Sequence, residues 1–118
     1  MTIIYNDNVD ADAYTPLIKP HGGNKTICGS YHANHGGGTE DLEATLVLEV
    51  CHARDPNHIS ATEIGWVTEN THEFPSAIAG AEVTDEFNFA NCPRACRIKI
   101  DMTGGTDGQV QIEIEDES

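Results

Sequence analysis

Apolar and polar positions alternate through much of the chain, most regularly near its end. Cys96, Ile98, Ile100 and Met102 alternate with Arg97, Lys99, Asp101 and Thr103. After Gly104-Gly-Thr-Asp-Gly108, Val110, Ile112 and Ile114 alternate with Gln109, Gln111, Glu113 and Glu115. A period of two on both sides of a Gly-rich turn predicts two antiparallel strands, each with one buried and one wet face. Read as a hairpin, this sets Arg97 and Lys99 opposite Gln111, Glu113 and Glu115, in cross-strand pairs worth roughly 0.2–1 kcal/mol each. The inward row of Cys96, Ile98, Ile100, Val110, Ile112 and Ile114 is expected to anchor the core.

The same pattern, more broken, recurs upstream. Lys25–Ala33 reads as a strand weakened by Gly29, and His35-Gly-Gly-Gly38 as the loop after it. Leu42–Cys51 is rich in the helix formers Leu, Glu and Ala. Its alternation of Leu46, Leu48 and Val50 and its β-branched Thr45, Val47 and Val50 nevertheless predict a strand. Arg54-Asp-Pro-Asn-His58 is a turn by its Pro, Asp and Asn. Thr62–Thr68 returns as a strand carrying the one tryptophan, Trp66, placed in the core or at its rim. Glu69–Ala81, with Pro75 and Gly80, reads as a long connection. Glu82–Phe89 follows as a strand with Val83, Phe87 and Phe89 inward, and Asn91–Ala95 as a bend. Residues 1–24 are expected to be an irregular arm, with Thr2–Tyr5 as a short edge strand at most, because Pro16, Pro20, Gly22 and Gly23 interrupt regular structure. The expected architecture is all-β: an antiparallel β-sandwich, jelly-roll or immunoglobulin-like, over residues 25–118, behind an N-terminal arm over residues 1–24.

Composition narrows the functions available. At 118 residues the chain supports one core, and six Lys and Arg against twenty Asp and Glu give a net charge of −14. That charge repels phosphate backbones and anionic lipid headgroups, so neither nucleic acid nor a membrane is an expected partner. It suits solubility or a salty habitat and, more sharply, a surface facing a basic partner or divalent cations. The first residues lack the basic start and apolar middle of a signal peptide, so synthesis in a cytoplasm is expected. The four cysteines (Cys28, Cys51, Cys92 and Cys96) are accordingly expected to be thiols.

The candidate chemistry is sparse. Cys92-Pro-Arg-Ala-Cys96 has a spacing that zinc accepts, with His32 and His35 or Cys51 and His52 to complete a tetrahedron. Cys51 and His52 fall on opposite faces of a strand, however, and Cys96 is in phase with the buried isoleucines. No metal is expected there. Asn8-Val-Asp10-Ala-Asp12 opens like a calcium-binding EF-hand loop, but Ala13 and Lys19 stand where Gly and the bidentate Glu are needed. A looser divalent-ion site among Asp7, Asp10, Asp12 and Asp107 is a lesser alternative. His35-Gly-Gly-Gly38 lacks the nucleophile motif that accompanies an esterase oxyanion loop. No catalytic residue and no cofactor is expected.

From Lys25 onward the order of features resembles the small β-sandwich virion proteins of tailed bacteriophages, including capsid decoration (cement) proteins. The resemblance is carried by Glu43-Ala-Thr-Leu-Val-Leu-Glu-Val50, Trp66-Val67, Phe87-Asn-Phe89, Cys96-Arg-Ile-Lys-Ile100 and Gly104–Ile114. It implies a non-enzymatic structural protein on the capsid surface. Such a subunit forms a homotrimer that bridges neighbouring copies of the major capsid protein and is made in the host cytoplasm. The arm is then expected to order on a neighbour through Ile3, Ile4, Tyr5, Tyr14, Leu17 and Ile18, or else to fold back over its own sandwich. A carbohydrate- or receptor-binding sandwich of a phage tail or cell surface is the second reading, and a small metal-binding β protein the third.

Overall fold

A computed structural model describes residues 2–18, 25–34, 41–51, 66–73, 82–92 and 96–115. The expected loop at His35–Gly38, the turn at Arg54–His58 and residues 93–95 of the expected Asn91–Ala95 bend lie wholly or partly outside those residues, as do His52 and the side chains of Trp66 and Phe89, while Asn91 and Cys92 belong to the last strand before that bend. Among the described residues there are eight strands: β1 Thr2–Val9, β2 Ala13–Tyr14, β3 Lys25–Ala33, β4 Glu43–Cys51, β5 Trp66–Glu73, β6 Val83–Cys92, β7 Cys96–Gly104 and β8 Gly108–Ile114. There is no helix among the described residues, so the alternation of β-branched residues prevailed over helix propensity in β4. The connection expected at Glu69–Ala81 starts later, because β5 continues through Glu73.

The strands form two four-stranded antiparallel sheets, in the orders β1-β8-β3-β6 and β2-β7-β4-β5. The first strand pairs with the last, the second with the second last, the third with the sixth and the fourth with the fifth. Two further ladders, β3 with β8 and β4 with β7, complete the sheets. The inward rows of both sheets meet in one core. Ile27, Tyr31, Ala33, Phe87, Val110 and Ile112 come from the first sheet, and Leu46, Leu48, Val50, Cys96, Ile98 and Ile100 from the second. Each such side chain taken fully out of water contributes about 1.5–3 kcal/mol, and this shared burial holds the two layers together.

One expectation is overturned here. β7 and β8 are both strands with the predicted inward faces, yet they do not form a hairpin: β7 pairs with β4, and β8 with β1 and β3. The turn between them carries the chain from one sheet to the other. Gly105 has φ 77°, in the left-handed region, and a Cβ there would collide with the carbonyl oxygen of Asp41. Asp41 fastens the crossing: its carboxylate accepts from the Thr106 hydroxyl and, at 2.9 Å, from the Thr106 amide, and its own amide donates to the Asp107 carbonyl at 3.1 Å. These hydrogen bonds hold the exposed Asp41 carboxyl below its ordinary range, the Thr106 hydroxyl most of all. The charge pairs change with the topology: Arg97 meets Glu49 and Lys99 meets Asp12, in place of the expected β8 glutamates.

A second turn is held by Asn34, a fully buried residue with φ 56°. Its side-chain amide donates to the Leu42 carbonyl (3.2 Å), and its Oδ1 accepts from the Leu42 amide (3.0 Å). One side chain thus ties the end of β3 to the entry of β4. Asn tolerates the left-handed conformation and copies a backbone hydrogen-bonding pattern, which is why it can stand at this position.

Candidate functional site

The segment singled out by the sequence, residues 2–18, occupies a specific place. It supplies the outermost strand on one side of both sheets. β1 lies against β8 from Thr2↔Ile114 to Val9↔Gly108, with a bulge between Ile3 and Tyr5. The extra residue, Ile4, lets both Ile4 and Tyr5 pack against the core, while Ile3 is left 53% exposed. The chain then crosses to the other sheet and runs along β7. Ala13 and Tyr14 pair with Ile100 and Lys99, the Thr15 amide donates to the Ile98 carbonyl at 2.9 Å, and Ile18 forms a bridge with Cys96.

Side chains replace backbone groups where this run is irregular. The Met102 amide donates to Asp12 Oδ1 (2.9 Å), and the Ile98 amide donates to Thr15 Oγ1 (2.9 Å). The buried Thr15 hydroxyl oxygen thus accepts from the Ile98 amide, and the same hydroxyl donates to the Pro16 carbonyl at 3.1 Å. The Ile18–Cys96 bridge is then a closed pair, with Ile18 N to Cys96 O at 2.7 Å and Cys96 N to Ile18 O at 2.9 Å.

The arm expected to be irregular over residues 1–24 therefore contains two strands in its described part, joined by irregular residues, and lies folded back on its own sheets, the second of its two expected placements. Of its six expected anchors, Ile18 belongs to the core, Ile4 and Tyr5 pack against it, Tyr14 and Leu17 are half-buried, and Ile3 alone is exposed. The physical reason is that β7 and β8 each have one side unclaimed by β4 or β3. A strand from the same chain satisfies those backbone groups at a high effective concentration.

Tyr14 does more than fill space. Its ring lies 4.2 Å from the Arg97 guanidinium carbon and 5.9 Å from Lys99 Nζ, in cation–π range. Arg97 Nε donates to Glu49 Oε1 at 2.7 Å, and Lys99 Nζ is 3.8 Å from Asp12. Arg97 was expected on a wet face; it does point away from the core, but it is buried under Tyr14 and beside Glu49. Sequence alternation reports the direction of a side chain and is silent about what covers it.

The remaining candidates are dispersed. Asp7 accepts from the Asn8 amide and Asp107 from Asn8 Nδ2, whereas Asp12 serves Met102 and Lys99. Among the described residues there is no group of three or more His, Cys, Asp or Glu able to hold a metal. The expectation of four thiols is corrected at Cys96, which is disulfide-bonded, whereas Cys28 keeps its thiol. A bonded sulfur is also no zinc ligand. His32, on the outer face of the first sheet, shares a 2.8 Å hydrogen bond with the Thr84 hydroxyl. Beside it an open groove of about 630 Å³ runs between β3 and β6, lined by Cys28, Ser30, Glu86, Asn88 and Glu115 among others.

Two contacts invisible in the sequence each occupy one outward amide at the outer edges of the first sheet. Asp7 Oδ1 accepts from the Asn8 amide and Asp85 Oδ1 from the Glu86 amide, both at 2.8 Å. Asn8 lies opposite Gln109, whose carbonyl is taken by Asn34 on its other side, so the Asn8 amide points outward from β1. Likewise Cys28 gives its carbonyl to Glu115 on the β8 side, which sets Ser30 facing β8 and its partner Glu86 facing the open side of β6. Each edge strand thus has an outward amide occupied by the preceding aspartate. No protein-family model, curated protein or solved structure matches the chain.

Proposed function

We propose that this chain is a non-enzymatic virion structural subunit, a capsid decoration protein that stabilises a shell by bridging copies of the major capsid protein, built as a jelly-roll β-sandwich. The observation that carries the reading is the strand pairing of first with last, second with seventh, third with sixth and fourth with fifth. A long antiparallel ribbon wrapped over itself produces this order, the double Greek key of a jelly roll, an architecture used by viral capsid domains and by lectins. Fold alone does not assign function. The acidic surface and the resemblance to phage virion proteins from Lys25 onward tilt the choice towards a shell component. Assembly as a homotrimer multiplies weak contacts at a symmetry axis of the shell.

The test is sedimentation of the purified protein, alone and with capsids of the virus that carries its gene. A homotrimer that co-sediments with shells and raises their thermal disruption temperature is the expected result. A monomer that leaves shells unbound and unaffected overturns the proposal. The groove between β3 and β6, rimmed by Ser30, Glu86 and Asn88, favours a second reading as a carbohydrate-binding sandwich. Glycan-array binding abolished by Asn88→Ala without loss of folding would move the assignment there.

A further inference from the structure

We propose that residues 2–18 are an exchangeable clip, which in the assembled protein leaves its own β7–β8 arch and takes the same edge positions on a second copy of the chain. The proposal rests on the homo-oligomer reading above and names the surface through which the copies join. All described hydrogen bonds and register pairs of the segment that reach outside it end on residues 96–114. β1 pairs with β8, β2 with β7, Ile18 with Cys96, Asp12 with Met102 and Asn8 with Asp107. The segment is terminal in both sheets, so its departure leaves the ladders between β3, β4, β5, β6, β7 and β8 in place. It is thus a single cassette with a single docking site.

Among the described residues, other routes to self-association through the first sheet are poorly served. Among the described residues Ile3 is the one exposed large hydrophobic, too little for an apolar patch. Simple addition of one sheet edge to another is opposed at β1 and β6 by the aspartate-capped amides of Asn8 and Glu86. Two copies each carrying −14 also repel across any broad flat contact. Exchange needs no new surface, because it remakes between copies the contacts already made within one.

The sequence between Ile18 and β3 suits the transfer. Lys19-Pro-His-Gly-Gly-Asn24 is six residues with a proline and two glycines, and spans up to about 20 Å when extended. The contacts are the same in both states, so the balance follows the concentration of copies. A shell surface, which holds copies side by side, then favours exchange over the self-docked state.

Asn6 and Gln111 face each other as partners across β1 and β8, two residues from the Asn8–Gln109 pair whose backbone groups point apart. Such non-hydrogen-bonded pairs suit a disulfide. Full-length N6C/Q111C protein, half of it ¹⁵N-labelled, is unfolded, mixed, refolded and oxidised, and the oligomer is isolated and digested. Mass spectrometry of the linked peptides is expected to find about half of them joining a heavy to a light chain, as random pairing of copies requires. Oligomers with same-isotope links alone overturn the exchange and leave the homo-oligomer standing. A monomer at every concentration, with same-isotope links alone, overturns both. If N6C/Q111C does not fold, N8C/Q109C places the link at the neighbouring non-hydrogen-bonded pair and reads the same outcomes.

Discussion

The Tyr14 ring lies over the Arg97 guanidinium at 4.2 Å, while the same guanidinium donates to Glu49 at 2.7 Å. One aromatic residue of a two-residue strand thereby covers the buried cation of the second sheet. The contact also explains how so short a strand as β2 stays in place, since two register pairs alone are a weak tether.

Replacing Tyr14 by alanine is therefore expected to cost about 1–2 kcal/mol, whereas Tyr14→Phe, which keeps the ring face, costs a few tenths. Hydrogen exchange separates local from global effects. In Tyr14→Ala the Ile98 amide, donated to Thr15 Oγ1, loses protection before the amides of β4 do. Equal loss of protection in both would show that Tyr14 merely contributes to overall stability.

Gly29 is required by close approach. A Cβ at this position would overlap the Glu113 carbonyl oxygen and come within 2.7 Å of Phe87 Cζ. Gly29→Ala is expected to destabilise by about 2–3 kcal/mol, at the upper end for overpacking, because one obstacle is backbone and cannot rotate away. Trimming Phe87 in the double variant should give no rescue, measured by urea denaturation. A stability restored by Phe87→Ala would place the clash on the ring alone.

Tyr31 is fully buried, and its phenol is pushed up from 10.0 to about 12, first by burial and then by the charge of Asp85. The unfolded chain therefore releases this proton at a lower pH than the folded one. Stability is unaffected by this group below about pH 10 and falls as pH rises from there to about 12, by up to roughly 3 kcal/mol. Tyr31→Phe should remove that segment of the alkaline slope, and tyrosinate absorbance should show one fewer late-titrating phenol. An unchanged slope in Tyr31→Phe would assign the alkaline loss elsewhere.

The aspartates that occupy the outward amides of Asn8 and Glu86 give a separable prediction. The double variant D7A/D85A should self-associate at lower concentration than the native chain, by light scattering. D7N/D85N changes net charge by the same amount but keeps an acceptor oxygen, and should stay as dispersed as the native chain. If both variants associate alike, charge and not capping protects the edges.

Much of the architecture was legible beforehand because alternation is a local record of burial. The inward rows of β4, β7 and β8 stand where the pattern of Leu46, Leu48, Val50, Ile98, Ile100, Val110 and Ile112 places them. Less of the candidate site was legible. Apolar residues in the first eighteen positions signalled that the segment binds something; the signal is the same whether the partner is its own β7–β8 arch or another molecule. Thr15, Asn34 and Asp41 carried no recognisable signal, since each matters for the distant backbone group it meets, and Asp12 signalled a cation where it serves the Met102 amide and Lys99.

By itself, then, the sequence determined that this protein is built mainly from strands and which faces of β4, β7 and β8 are buried, because both follow from the order of apolar and polar side chains along a pleated backbone. The tertiary structure alone decided which strands are neighbours: β7 beside β4 and β2, β8 beside β3 and β1, and a Gly-rich turn that joins two sheets in place of two paired strands. The reason is that a backbone amide or carbonyl is chemically alike at nearly every residue, so ladder pairing leaves no mark in the local pattern. It emerges when all the inward rows compete for one core, and that competition also brought the first eighteen residues back onto the last strands.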